Sequence, residues 1–167
     1  MRRGVTLVEL VLVITLTLVL SAAAIGGLRG VQSWRTSAAV RRVQADLDYA
    51  RSLALLSGRR TLCRFDLAAS SYELQQEPQP ASGVIQGSPL VHPLDGRAWQ
   101  VALDDLAAEL TVTLQPVLTA SAIGYGTDGL PVDANGTAVG QDVRLTFSNG
   151  AVLTLRSGSG LSEVTWP

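Results

Sequence analysis

Glu9 is the only charged residue in a 24-residue apolar stretch, residues 5–28. A carboxylate near the centre of a bilayer costs about 2.5–3.5 kcal/mol even on lenient insertion scales, so one kept in such a run calls for a compensating partner. The other residues that could do chemistry are few. His92 is the sole histidine, set between Val91 and Pro93 with no serine or cysteine partner motif, and reads as a loop residue. Asp104-Asp105 reads as a turn, not as an acid/base pair. Asp128, Asp133 and Asn135 with Gly136 loosely resemble a calcium loop, but their spacing is not that of an EF-hand, and these are also ordinary turn formers. The single Cys63 cannot close an intrachain disulfide and fits no metal spacing. It reads as a small buried strand residue, with pairing to another chain as the alternative. No catalytic residue, metal or cofactor is expected.

The elements that would position Glu9 follow from periodicity. Residues 5–57 read as one helix. Its first part is apolar all round. At about 1.5 Å per residue, 5–28 reaches about 36 Å, enough to cross a hydrocarbon core of about 30 Å. Its second part is amphipathic: Trp34, Ala38, Ala39, Val43, Leu47, Ala50, Leu53 and Ala54 recur at spacings near three and four, with Arg35, Arg41, Arg42, Asp46 and Arg51 mainly between them. Gly58 stands where a helix stops. Beyond it the period becomes two. Residues 61–67 and 72–76 read as a hairpin, and 78–96, rich in Pro, Gly and Ser, as a long loop. Further strands are expected at 99–103, 110–115 and 122–125. Residues 142–147 and 151–156 flank Asn149-Gly150, a hairpin signal, and 161–166 closes the sheet. The fold class is therefore α+β, a long N-terminal hydrophobic helix whose outer half packs on an antiparallel β-sheet head.

Arg2-Arg3, Gly4, Val5-Thr6-Leu7-Val8 and Glu9 together resemble the leader signal of type IV pilins and of the pseudopilins of type II secretion systems. The stretches "TLCRF", "AIGYGTDGLPV" and "VRLTFSNGAVLTLRSGSGLSEV" resemble the head of the minor pseudopilin H (GspH) and FimT-like family. The leader resemblance spans about ten residues, and the head resemblance covers 58–167 loosely. It implies a leader, 1–4, removed by prepilin peptidase between Gly4 and Val5. Val5, where the family usually has phenylalanine, would become the N-methylated residue. A transmembrane and filament-core helix, 5–28, an amphipathic half, 29–57, and a β head, 58–167, would follow. The implied partners are other pseudopilins, the peptidase and an inner-membrane assembly platform. The implied location is the bacterial inner membrane, single-pass, with the head in the periplasm, as Arg2 and Arg3 also require under the positive-inside rule. Glu9 then meets the freed amine of Val5 on a neighbouring subunit, two charges that are tolerable together and costly apart. The bland alternative is a glutamate reaching back to the interface.

Two rival readings remain. Ala22-Ala23-Ala24 fits a signal-peptidase site that would release a domain starting at Ile25; Glu9 inside the apolar region and the continuing helix oppose it. Some FimT-like pilins bind DNA through a basic C-terminal region. Here all thirteen basic residues are arginine, and only Arg97, Arg144 and Arg156 lie beyond Phe65, against eleven acids, a net charge of −8. Nonspecific DNA binding draws on cations, so a nucleic-acid partner is not expected, although Arg59, Arg60 and Arg64 could cluster.

Overall fold

The computed structural model describes residues 7–78, 88–94, 96–107 and 110–167, and their side chains except those of 22–32, 88 and 119. Gly4, Val5 and most of the 78–96 loop lie outside this set. The chain divides into two compact units, Met1–Arg35 and Thr36–Pro167.

The first element, α1, runs Leu7–Ser57. In the second unit its buried residues are Ala39, Val40, Val43, Leu47, Ala50 and Ala54, each at most 1% exposed. Three- and four-residue spacing puts them on one stripe. The helix stops at Gly58, whose φ of 62° is free to a residue without Cβ and whose N–H closes on the Ala54 carbonyl at 3.0 Å.

Among the described residues ten strands follow: β1 Thr61–Asp66, β2 Ser71–Gln76, β3 Ser88–Pro89, β4 Gln100–Ala102, β5 Val112–Gln115, β6 Ala122–Tyr125, β7 Pro131–Val132, β8 Val143–Phe147, β9 Val152–Leu155 and β10 Ser162–Thr165. They form two antiparallel sheets in place of the expected one. The first orders β3-β2-β1-β6-β7, with β4 also pairing β2; the second orders β10-β9-β8-β5. The stretch expected as a strand at 99–103 is split: β4 ends at Ala102, and Leu103–Leu106 forms a single helical turn, α2. The long loop contributes β3, which extends β2 by two residues.

The two expected hairpins, β1–β2 and β8–β9, close as their turn residues dictate. Asp66 Oδ1 accepts the N–H groups of Ala68 and Ala69 at 3.0 and 2.9 Å, and Asn149 Oδ1 accepts that of Ala151 at 3.1 Å. Alternation along β1 sends Cys63 and Phe65 to the main core and Leu62 to a smaller cluster with Ala122, Val132 and Ala134. The main core joins the α1 stripe to inward residues of both sheets, among them Tyr72, Leu74, Tyr125, Leu145, Phe147 and Leu153. Thr61 of β1 is fully buried and donates to the Ala50 carbonyl at 3.0 Å, so strand and helix are also joined by a hydrogen bond.

Candidate functional site: an exposed apolar helix

The N-terminal part of α1 is exposed on every side from Leu7 to Ser21. Its large apolar side chains range from 49% exposed at Ile14 to 79% at Leu7. Contiguous apolar surface of this extent marks a region meant for lipid or protein. Its few hydroxyls do not contradict that. Thr15 donates to the carbonyls of Val11 and Leu12, Thr17 to those of Val13 and Ile14, and Ser21 to that of Thr17, at 2.8–3.0 Å. Hydroxyls satisfied within their own helix need nothing from outside, the condition for burial in an apolar medium. Glu9 lies in the first turn and is exposed, where the positive end of the helix dipole favours a carboxylate. Among the described residues no helix is long and apolar enough to cross a membrane; the apolar side chains described in this run cover 15 residues, 7–21.

In the second unit several charged residues serve the fold. Asp46, 4% exposed, lies on the apolar stripe of α1, three residues from Val43 and four from Ala50. Its Oδ2 accepts the Tyr72 hydroxyl at 2.6 Å and the Trp99 indole N–H at 3.1 Å, while Arg42 Nε approaches Oδ1 at 3.0 Å. Burial, and then the Asp46 charge, push the Tyr72 phenol far above its ordinary value, so it stays a donor. Arg60 clasps Glu77 with two bonds of 2.9 and 2.6 Å, and Glu77 is 1% exposed. Arg51 donates to the carbonyls of Gly129, at 3.2 Å, and Ser159, at 2.9 Å, tying one turn from each sheet to the helix. Reading the sequence missed the roles of Asp46 and Glu77. The signal for Asp46 was its register with Val43 and Ala50; Glu77, next to Pro78, gave none.

The other candidates fall as follows. Cys63 is buried in β1. His92 sits beside Arg42, 3.2 Å from its guanidinium, with its ring 4.4 Å from that of Trp99. Asp104 and Asp105 are exposed on α2. Asp128 and Asp133 cap their own turns, Asp128 accepting from Leu130 and Asp133 from Asn135 and Thr137. Among the described residues no three His, Cys, Asp or Glu side chains are grouped to hold a metal. Of the three arginines that could have formed a basic cluster, Arg60 is paired with Glu77, Arg59 is exposed and Arg64 is half-buried.

The fold is pilin-like. The structure is similar to that of the minor pseudopilin EpsH from the type II secretion system of Vibrio cholerae, with a TM-score of 0.55 and 14% identity over 80% of this chain and 98% of that one. A second crystal structure of EpsH gives the same score over 82% and 96%. The type IV minor pilin FimU of Pseudomonas aeruginosa is similar with a TM-score of 0.51 and 17% identity, over 77% of this chain and 91% of that one. No protein-family profile and no curated protein sequence matches the chain.

Proposed function

We propose that this chain is a minor pseudopilin, a non-catalytic structural subunit of a type II secretion pseudopilus, a filament serving protein export across the outer membrane. The observation that carries the reading is the run from Leu7 to Ser21: apolar on every side, closed in its own hydrogen bonding, and carrying Glu9 in its first turn. The likeness to EpsH supports the same reading from the fold. In it, residues 1–4 are a leader cut by prepilin peptidase, and residues 5–28 hold the chain in the inner membrane as a single pass with the head, 58–167, in the periplasm. The cut frees an amine on Val5, which is then methylated. Glu9 pairs with that amine on a neighbouring subunit and fixes the axial offset between helices, and the assembly platform draws the subunit into the filament. Intact mass of the membrane-extracted chain tests this: it should match a start at Val5, with about 14 Da more for one methyl group. A start at Ile25 overturns it in favour of a released domain.

The likeness to FimU favours a second reading, a minor subunit of a type IV pilus. The DNA-binding variant of that reading is opposed by the arginine placement, since Arg42, Arg60 and Arg156 of the second unit are held by carboxylates. The machine with which the chain co-purifies in sheared filaments separates the two, and a mobility-shift titration at about 150 mM salt tests DNA directly.

A further inference from the structure

We propose that, in the unassembled subunit, Trp34 and Arg35 dock α1 on the phospholipid headgroups of the periplasmic leaflet, with Glu9 and Arg29 at the two edges of the hydrocarbon. The proposal rests on the membrane reading above and fixes the depth at which the helix sits. All four residues belong to α1 and to the first compact unit.

Glu9 and Arg29 are consecutive charges, and the nineteen residues between them carry none. Twenty steps of about 1.5 Å separate the two by about 30 Å along the helix axis, the thickness of a bilayer's hydrocarbon core. One charge then meets water at each face. Centring the whole 24-residue apolar run instead would hold Glu9 about 4 Å inside the core and leave Trp34 about 11 Å beyond it. A long arginine side chain reaches back to water along an apolar stem, and a short glutamate has less reach.

Trp34 is 81% exposed, the most exposed ring of any Phe, Tyr or Trp described. An indole is apolar over its body and donates one N–H, so tryptophan collects where hydrocarbon meets headgroups. Trp34 follows Arg29 by five residues, about 7.5 Å along the axis. Side chains on a helix lean toward its N-terminus, which brings the ring back toward the level of Arg29. That level is the interfacial layer, about 5–7 Å deep on each side of a bilayer.

The charges select the occupant. No acid stands between Glu9 and Asp46, and the first two bases in that interval are Arg29 and Arg35. Arg35 is exposed and adjoins Trp34. A guanidinium matches a phosphate through two parallel N–H groups. A headgroup layer offers those phosphates, an apolar bed for the indole, and continuity with the hydrocarbon that the preceding run occupies.

The test reconstitutes the full-length chain in vesicles of phosphatidylcholine and phosphatidylglycerol whose acyl chains carry bromine either near the headgroup or near the methyl end. The Trp34→Phe chain supplies the background of Trp99 and Trp166, and the difference is the signal of Trp34. That signal should be blue-shifted from its position in water, quenched by the shallow bromines more than by the deep ones, and shielded from aqueous iodide. Arg29→Leu lengthens the apolar run and should draw Trp34 toward the deep bromines, while Arg29→Lys should leave it in place. Iodide quenching without bromine quenching, deep bromines quenching the parent as well as shallow ones, or a Trp34 depth unmoved by Arg29→Leu overturns the proposal. So does a Trp34 that leaves water only when other pilin-like subunits share the vesicle, since a protein neighbour would then be its partner. A chain that fails to float with the vesicles after alkaline carbonate sinks the membrane reading itself, and this inference with it.

Discussion

The Tyr72 hydroxyl donates to the buried Oδ2 of Asp46 at 2.6 Å, joining β2 to the helix stripe that covers it. Tyr72→Phe leaves Asp46 with Arg42 and Trp99 as its donors, one short of the native set. A hydrogen bond to a charged acceptor contributes about 1.5–3 kcal/mol, so urea unfolding should show a loss of that size. An unchanged midpoint would mean that the remaining donors suffice.

Tyr125→Phe should do the opposite. The Tyr125 hydroxyl is buried and has no partner among the described residues, so deleting it removes an uncompensated polar group. Stability should stay level or rise by up to about 1 kcal/mol. A clear loss would show that the hydroxyl has an acceptor after all.

Gly136 and Glu77 should be coupled through Arg60. A Cβ at Gly136, whose φ is 80°, would lie 1.6 Å from Arg60 Nη1, so Gly136→Ala must displace the guanidinium that holds Glu77. Glu77→Ala alone should cost about 3–5 kcal/mol by stranding a partner of a largely buried pair. In a double-mutant cycle the two losses should fall short of additivity by more than about 0.5 kcal/mol. Additive losses would separate Gly136 from the ion pair.

Asp142 should titrate low. The Ser157 backbone N–H and the Arg156 guanidinium both favour its ionised form and hold its carboxyl below 3.8. Because the folded value lies below the unfolded one, the stabilisation is present above about 3.8 and is lost as pH falls through the folded value. Carboxyl NMR titration should place the midpoint below 3.8, and Arg156→Gln should move it up. A midpoint unmoved by that substitution would leave the Ser157 bond as the sole cause.

Glu9→Val should keep membrane insertion and leader cleavage but lose filament incorporation, since a neighbour's Val5 amine would be buried unpaired, at about 3–5 kcal/mol. Gly4→Glu should stop one step earlier, at cleavage. Leader gel shifts and crosslinking in sheared filament fractions read both. Normal incorporation of the Glu9→Val chain would make the carboxylate a passenger.

Local features were legible in the sequence, and non-local ones were not. Asn149-Gly150, the hairpin expected from strands at 61–67 and 72–76 and the stop at Gly58 each act within a few residues, and the structure has each within a residue of its expected place. The two-sheet arrangement escaped because alternation along a strand reports which face is buried and says nothing of which strand lies beside it. The start of α2 at Leu103 escaped because an apolar run that short fits either period. Asp46 groups by residue type with the charges set mainly between the apolar positions, yet its register with Val43 and Ala50 puts it inside.

The hydroxyls of Thr15, Thr17 and Ser21 close on their own helix and offer a neighbour no polar contact. Helices that meet through such surfaces attract by dispersion and close packing, without hydrogen bonds between them. In the filament proposed above, Glu9 would then set the axial position of this run, and its other described side chains would contribute close packing alone.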